Sequence, residues 1–389
     1  MKYVQINAYS GGWANSVVFQ KHLELLSQGH ESWVFWARGN HEQNDHLIKI
    51  ASYHEVVLDV LQTRLDGKPG FHSKGITRRL LNRLDLIDPD IVHLHVLLGY
   101  YINIEMLFNW LSNHRCKVIW TLHDCWAFTG HCIHFSYERC YQWKTHCGLS
   151  APCPQPDSYP ETFHHGMESW NYAKKKELFT MIPAERMEII TPSNWLANLV
   201  RDSFLSKYQV TVINNQVDKT VFHPMQSDFR DRYAIGKRFM ILGVASKWSA
   251  HKGLDDLIKL SEELDSALFA IVVVGLDKKQ IRQKPPKIIA FPRTNTMEEL
   301  AEIYSAADVF FNPTKEDNYP TVNIEAEACG IPVITYDTGG CPETISMGLS
   351  QAVAGYDEAK HAILSIYSAK LFSGDSGVIQ LDAVNNDHN

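Results

Sequence analysis

The sequence of 389 residues lacks both a long hydrophobic run and an excess of basic residues. Its longest apolar stretch, Ala267 to Val274, is far too short to cross a bilayer, so we interpret it as a buried strand of a parallel sheet. A formal net charge of −7 argues against a general nucleic-acid-binding protein. The first residues lead into a strand-like segment without the apolar core of a signal peptide, which predicts a cytoplasmic location.

Cysteine is sparse outside one short segment. Five of the eight cysteines lie between residues 125 and 153, and this segment contains no Cys-x-x-Cys pair. Two interpretations are open for four of them: a structural zinc site held by thiolates, or a cluster of reduced thiols. The four are Cys132, Cys140, Cys147 and Cys153.

The composition is that of a globular protein with room for two domains, because 45% of the residues are hydrophobic and 21% are charged. Strand-like and helix-like segments alternate from Lys2–Asn7 onward, and the alternation restarts at Phe239–Ala245. This pattern predicts two doubly wound α/β domains. We predict an N-terminal domain of residues 1–216, a C-terminal domain of residues 217–372 and a flexible tail of residues 373–389.

A stretch near the C-terminus combines features of a nucleotide-sugar site. A polar loop ends at Tyr319, a helix is predicted to begin at Pro320, and Gly330 ends it. The open N–H groups at a helix start suit a phosphate. Glu325, farther along the helix, can accept hydrogen bonds from ribose hydroxyls.

Two features of the first domain fall where ligands bind. Gly11 and Gly12 occupy the turn after the first strand, where the absence of a Cβ lets backbone approach a ligand. His123 follows a strand, and open α/β sheets bind ligands beyond the carboxyl ends of their strands. His123 is therefore the leading catalytic candidate, whereas the alternation of His93 and His95 places them in or beside the core.

Taken in order, these segments resemble the donor site of retaining GT-B glycosyltransferases of the GT4 family, similar to those of colanic-acid, capsule and O-antigen biosynthesis. The resemblance lies in Asp317-x7-Glu325, then Ala-x-Ala-Cys-Gly-x-Pro-Val and Gly-Gly-x-Pro-Glu. The family usually has Glu-x7-Glu, so Asp317 is one methylene shorter, and the adjacent Glu316 is off register. Where the family has Arg-x4-Lys-Gly, this sequence has Lys247-x4-Lys252-Gly, and Lys247 lacks the two-pronged donor of arginine.

The resemblance implies a GT-B fold, in which two Rossmann-like, doubly wound domains face a central cleft. It implies two catalytic residues: His123, which meets the donor hexose, and Asp317, which holds the hexose hydroxyls. The residues that it implies for donor binding are Gly11, Gly12, Lys247, Lys252, Asn318, Tyr319, Pro320, Thr321 and Glu325.

The implied reaction is the metal-independent, retaining transfer of a hexosyl unit from a UDP- or GDP-sugar. The implied acceptor is a growing surface polysaccharide or O-antigen, saccharide or lipid-linked, and no cofactor is required beyond the nucleotide-sugar co-substrate. Two other functions stay open. One is a nucleotide-sugar epimerase or hydrolase on the same fold, and the other is a carbohydrate-binding protein without catalytic activity.

Two further segments carry predictions about the acceptor. A basic amphipathic helix between Gly70 and Leu84 can contact anionic lipid at a membrane surface, and the alternative is a surface helix docked on the sheet. The insertion of residues 124–159 is predicted to overhang the strand that ends at His123. Its aromatic residues either fill the core or offer platforms for sugar rings, and the candidate platforms are Trp126, Trp143 and Tyr137.

Overall fold

The computed structural model describes residues 1–10 and 13–374. Gly11 and Gly12, and the predicted tail beyond residue 374, lie outside the described residues. The chain divides into two compact units, of which the first comprises Met1–Asn214 and the second begins at Asn215. Each unit contains one sheet with parallel strands, so each is built as an α/β unit.

The first unit alternates strands and helices along the chain. Its strands are β1 (Lys2–Tyr9), β2 (Glu31–Arg38), β3 (Leu47–Lys49), β4 (Ile91–Leu94), β5 (Lys117–Thr121), β6 (Met187–Thr191) and β7 (Gln209–Val212). Its helices are α1 (Trp13–Ser27), α2 (Tyr53–Asp66), α3 (Lys74–Ile87), α4 (Ile104–Asn113), α5 (Glu168–Phe179) and α6 (Asn194–Asp202).

The strand order of this sheet is β3-β2-β1-β4-β5-β6-β7. The chain builds the sheet outward from β1 to β3 and then returns to place β4 on the other side of β1. Ligands of such sheets bind beyond the carboxyl ends of the strands at this reversal. His95 follows β4 and His123 lies two residues after β5, so both histidines lie at that edge of the sheet.

Helices cover both faces of the first sheet, which explains why polar residues on β1 are buried. Val4 and Ile6 point into the core on one face, whereas Gln5 and Asn7 are equally buried on the other. The amide of Gln5 donates a hydrogen bond to the backbone oxygen of Val18 on α1, at 2.9 Å. The buried side-chain amide N–H of Gln5 is therefore hydrogen-bonded, as buried polar groups generally are.

The second unit repeats the pattern. Its strands are β8 (Phe239–Val244), β9 (Phe269–Val274), β10 (Ile288–Phe291), β11 (Val309–Asn312), β12 (Val333–Tyr336) and β13 (Gln351–Val353). Its helices are α7 (Phe229–Arg232), α8 (Leu254–Glu263), α9 (Lys278–Gln283), α10 (Met297–Ala306), α11 (Thr321–Ala328) and α12 (Tyr356–Gly374).

The order of the second sheet is β10-β9-β8-β11-β12-β13, so its reversal lies between β8 and β11. Every residue of β8 and β9 is buried. Strands covered by helices on both faces are apolar throughout, and this explains the run that ends at Val274. Two doubly wound sheets confirm the predicted fold class.

The insertion of residues 124–159 forms two short 3₁₀ helices, Trp126–Phe128 and Gln142–Lys144. Trp126 and Trp143 are 2% and 1% exposed and belong to the core of the first unit. The prediction that these two rings serve as sugar platforms is therefore wrong, because burying their large apolar area stabilises the unit instead. Tyr137 is 44% exposed.

Helix α3 is the predicted basic amphipathic helix. Ile76, Leu80 and Leu84 are buried in the core, and Arg78 and Arg83 lie on the exposed face. The helix thus docks on the unit through its apolar stripe, as the surface-helix alternative requires. Among the described helices, we find none with the length and apolar character needed to cross a membrane.

Candidate active site

Three loops meet at the reversal of the second sheet, one after each of β8, β11 and β12. The backbone N–H of Lys315 donates to the carbonyl of His251 at 2.8 Å, which joins the first two loops. The hydroxyl of Thr338 donates to the carbonyl of Thr314 at 2.9 Å, which joins the second and third. These hydrogen bonds fix three chain segments that are far apart in sequence.

The central contact of the site is an ion pair between two residues that the sequence predicted. The Nζ atom of Lys252 lies 2.5 Å from Oδ2 of Asp317, and the other carboxylate oxygen accepts the N–H of Asn318 at 2.8 Å. Burial, the largest influence, lowers the pKa of Lys252, but the charge and hydrogen bond of Asp317 outweigh it, so the pKa is raised overall. Lys252 therefore stays cationic at neutral pH.

Two glycines let these loops approach each other. Gly253 has φ +73°, and a Cβ there would lie 2.2 Å from the carbonyl oxygen of Pro313. Gly339 has φ +58°, and a Cβ there would lie 1.8 Å from the carbonyl oxygen of Asp317. Both positions require glycine for backbone angle and for space. Gly253 and Gly339 thus allow the close packing of the loops that carry Lys252 and Asp317.

Glu316 and Asp317 face different partners. Glu316 is 5% exposed, and its Oε2 atom lies 3.2 Å from Nδ1 of His251. The residue that the sequence analysis set aside is therefore a buried partner of a histidine, whereas Asp317 pairs with Lys252. His251 was not among the predicted site residues, although its position directly before Lys252 is visible in the sequence.

Helix α11 carries Glu325. The hydroxyl of Tyr304 donates to Oε2 of Glu325 at 3.1 Å, and burial raises the pKa of this carboxyl. The helix is anchored by the buried amide of Asn323, which bonds Asn312 and Thr344, each at 2.8 Å. Asn323 was missed by sequence reasoning because an asparagine inside a helix gives no signal of an interior hydrogen bond.

The remaining predicted donor residues surround the start of α11. Pro320 precedes the helix, and Thr321 is its first residue. Asn318 and Tyr319 are 4% and 9% exposed, and the carbonyl of Tyr319 accepts the amide of Asn215 at 3.3 Å. Lys247 is exposed and forms no ion pair within the described part of the chain. The structure therefore groups Lys252, Asp317 and the α11 start, with Lys247 on the same loop as Lys252.

The first unit contains a row of histidines at the carboxyl ends of β4 and β5. The rings of His93 and His95 are stacked with centroids 4.0 Å apart, and the His123 ring is stacked 6.1 Å beyond His95. Burial lowers the pKa of His93 to about 3 and that of His123 to about 4. Burial also lowers the pKa of His95 well below its ordinary value. All three rings are neutral at physiological pH, so none of them acts as a cation.

The cysteine cluster does not form a metal site in the described structure. Over residues 1–10 and 13–374, no group of three or more His, Cys, Asp or Glu side chains is placed to hold a metal ion. None of the eight cysteines, all of which lie among the described residues, forms a disulfide. Burial raises the pKa of Cys132 to about 12 and those of Cys147 and Cys153 to about 11. These three thiols are therefore protonated at neutral pH in the described structure.

Comparison with known families decides the class of the protein. The model described as Glycosyltransferase Family 4 matches residues 12–221, more than half of the chain. The chain belongs to glycosyltransferase family 4. A second model, described as Glycosyl transferases group 1, matches residues 225–369. Family 4 membership confirms the resemblance stated from the motifs and makes the protein a glycosyltransferase.

Two relatives illustrate the similarity in sequence. The chain is 30% identical over 194 residues to the alpha-galactosylglucosyldiacylglycerol synthase of Streptococcus pneumoniae. That match covers 46% of this chain and 51% of the relative, so the chain spans about half the length of this relative. The chain is also 25% identical over 378 residues to the Escherichia coli colanic acid biosynthesis glycosyl transferase WcaC, covering 91% of this chain and 87% of that protein.

Solved structures confirm the fold. Sucrose-phosphate synthase from Thermosynechococcus elongatus has a TM-score of 0.67 at 15% identity, over 95% of this chain and 90% of the other. Anabaena HepE in complex with UDP-glucose has a TM-score of 0.62 at 14% identity, over 95% and 91%. The predicted GT-B class therefore holds.

Proposed function

We propose that this family 4 glycosyltransferase moves a hexosyl unit, with retention of anomeric configuration and without a metal ion, from a UDP- or GDP-sugar. The single observation that carries the proposal is the Lys252–Asp317 ion pair at 2.5 Å, at the sheet reversal and beside the start of α11. HepE binds UDP-glucose in its crystal structure, which supports a nucleotide-sugar donor here.

Charge explains how the site promotes the reaction. Breaking the bond between the anomeric carbon and the phosphate leaves negative charge on the nucleoside diphosphate, while the sugar becomes oxocarbenium-like. Lys247, Lys252 and the N–H groups at the start of α11 stabilise the departing diphosphate. Retention is proposed to follow a front-face route. In this route the leaving phosphate takes the proton of the acceptor hydroxyl, and the new bond forms on the face from which the phosphate departs.

The carboxylates hold the neutral parts of the donor. Glu325 accepts hydrogen bonds from the ribose hydroxyls, and Asp317 accepts them from the hexose. The backbone of Asn318, Tyr319 and Thr321 lines the phosphate end. In the first unit, His123 is the proposed contact of the transferred sugar. Gly11 and Gly12, which lie outside the described residues, are proposed to contribute to donor binding. As a neutral ring, His123 directs a sugar hydroxyl without adding charge.

The acceptor is proposed to be a growing surface polysaccharide or O-antigen carried on a lipid. The name of one relative refers to colanic acid synthesis and that of another to a diacylglycerol glycolipid, which supports a saccharide or lipid-linked acceptor. The exposed Arg78 and Arg83 of α3 supply positive charge for contact with an anionic membrane surface.

The decisive experiment removes the two donor contacts one at a time. All assays contain EDTA, because the proposed transfer by the wild-type protein needs no metal ion. Under these conditions Lys252→Ala and Glu325→Ala are each expected to abolish sugar transfer while the fold is retained. Transfer is measured with UDP- and GDP-sugars and lipid-linked acceptors, and folding by circular dichroism. Lys360→Ala is the matched control, because Lys360 forms a 2.8 Å pair with Glu263 elsewhere in the same unit.

Turnover at the wild-type rate in purified Lys252→Ala or Glu325→Ala would contradict the site assignment. Products formed from donor alone would instead favour an epimerase or hydrolase. Binding of oligosaccharide without any melting shift from nucleotide sugars would indicate a carbohydrate-binding protein.

A further inference from the structure

His95 is a buried histidine with a hydrogen-bonding capacity that the described structure leaves unused. It is 3% exposed, and neither of its ring nitrogens has a hydrogen-bond partner among the described residues. A neutral imidazole carries one donor and one acceptor. Leaving a buried polar group unsatisfied is unfavourable, so this position calls for a further partner.

His93, which lies on β4 two residues before His95, shows a histidine with both ring nitrogens hydrogen-bonded. Its Nδ1 atom lies 2.8 Å from the hydroxyl of Tyr3, and its Nε2 atom lies 2.8 Å from that of Thr121. Both nitrogens of His93 are used inside the protein. His95 stacks on His93 but is turned toward a different environment.

That environment is a small cavity at the carboxyl ends of β4 and β5. It is lined by His95 and His123, with Leu98, Leu122, Asp124 and Trp126 among the other residues. Its volume is about 20 Å³, enough for the centre of one water molecule. A water site also needs two or more polar partners, and the two imidazoles provide them.

We propose that His95 is a positioning residue: through one water molecule in this cavity, its ring fixes the orientation and tautomer of the His123 imidazole. The inference rests on the proposed function, in which His123 contacts the transferred sugar. A bridging water is enthalpically almost as good as a direct hydrogen bond. The hydrogen bonds through this water also couple the tautomers of the two neutral rings. His123 therefore presents a defined nitrogen to a sugar hydroxyl.

The test combines a structure with kinetics. A crystal structure of the wild-type protein is expected to show a water within hydrogen-bonding distance of both rings, and His95→Leu is expected to lose it. His95→Leu is expected to lower kcat by roughly 10- to 100-fold with little change in the KM for the donor, because a misplaced catalytic contact costs about that much. His95→Asn and His95→Gln keep polar atoms near the ring positions, and at least one is expected to restore most of kcat.

His22→Leu is the matched control. His22 is buried at 4% exposure and hydrogen-bonded to Ser32 at 2.9 Å, away from the cavity. It is expected to lower the melting temperature and leave kcat unchanged. An equal loss of kcat in His22→Leu and His95→Leu, or no rescue by either polar variant, would reduce His95 to a structural role.

The two proposals fail in different ways. If His123→Ala transfers sugar normally, the role given to His123 in the proposed function is wrong. If His123→Ala is inactive while His95→Leu is fully active, or if the wild-type crystal shows no water between the rings, the inference about His95 alone is overturned.

Discussion

At the scale of single residues, the Lys252–Asp317 pair forms with an aspartate where the family pattern has a glutamate. Asp317 is one methylene shorter than the glutamate of the family pattern, yet its carboxylate lies 2.5 Å from the lysine. Gly340 donates its N–H to the backbone carbonyl of Asp317 at 3.2 Å, so the third loop holds the Asp317 backbone.

Lys247 lies on the same loop as Lys252 and is proposed to bind the donor diphosphate. Lys247→Ala is expected to raise the KM for the donor by roughly tenfold or more, because a charge-assisted hydrogen bond to phosphate contributes about 1.5–3 kcal/mol. Lys247→Arg is expected to lower that KM, because the planar guanidinium forms two parallel hydrogen bonds to a phosphate. Initial rates at varied donor concentration give both values, and an unchanged KM in Lys247→Ala would remove this lysine from the site.

At the scale of elements, loops and not helices or strands bring the site together. Each of the three loops follows a strand of a parallel sheet, and such ends lie at one edge. The contact between the second and third loops depends on Gly339, where a side chain would collide with the Asp317 carbonyl.

A matched pair of glycines tests this packing. Gly339 and Gly236 have φ of +58° and +59°, but a Cβ at Gly236 meets nothing within 4 Å. Gly236→Ala is expected to cost about 1–2 kcal/mol from the left-handed backbone alone, with activity retained. Gly339→Ala is expected to cost more and to lower sugar transfer, because the loop carrying Asp317 must shift. Urea denaturation and transfer assays measure both effects, and equal outcomes for the two variants would argue against the close contact.

Helix α2 illustrates why hydrophobic periodicity fails at some elements. Its buried face includes Asp59 and Thr63, whereas Leu61 and Leu65 are 52% and 70% exposed. The carboxylate of Asp59 accepts hydrogen bonds from the hydroxyls of Thr63 and Ser73. These hydrogen bonds, one from the same helix and one from a residue beyond its end, make this polar burial tolerable, and hydrophobic periodicity does not reveal them.

Strand β11 was missed by sequence reasoning for a related reason. It is four residues long and follows α10 after two residues. So short an apolar run cannot be told from a continuing helix by its periodicity. Its place beside β8, at the reversal of the sheet, is decided by pairing with strands far away in the chain.

At the scale of the whole molecule, each unit has its own core, and the buried histidines distinguish the first unit. The unfolded chain protonates histidine near pH 6.5, whereas folded His93 and His123 have pKa values lowered to about 3 and about 4. Between these values the unfolded state binds more protons than the folded state. The stability that neutral burial gives is therefore complete above pH 6.5 and is lost as the pH falls toward 4.

We expect acidification from pH 7.5 to 5.5 to destabilise the first unit, by up to about 1.4 kcal/mol per pH unit for each such histidine. Hydrogen exchange with mass spectrometry should show a larger loss of protection in peptides of β4 and β5 than in those of β8 and β9. His93→Gln is expected to reduce the pH dependence. Equal loss of protection in both units would show that these histidines do not titrate as their burial requires.

The sequence by itself determined the alternation of strands and helices, the fold class and the family, because these depend on local periodicity and on motifs in a fixed order. It also predicted Lys252 and Asp317 as site residues, since the residues of a loop stay close to the strand that carries it. Only the tertiary structure decided that these two form an ion pair, that Glu316 turns to His251, and that Trp126 and Trp143 fill the core. Contacts of this kind join residues distant along the chain, and their direction depends on packing that no local pattern encodes.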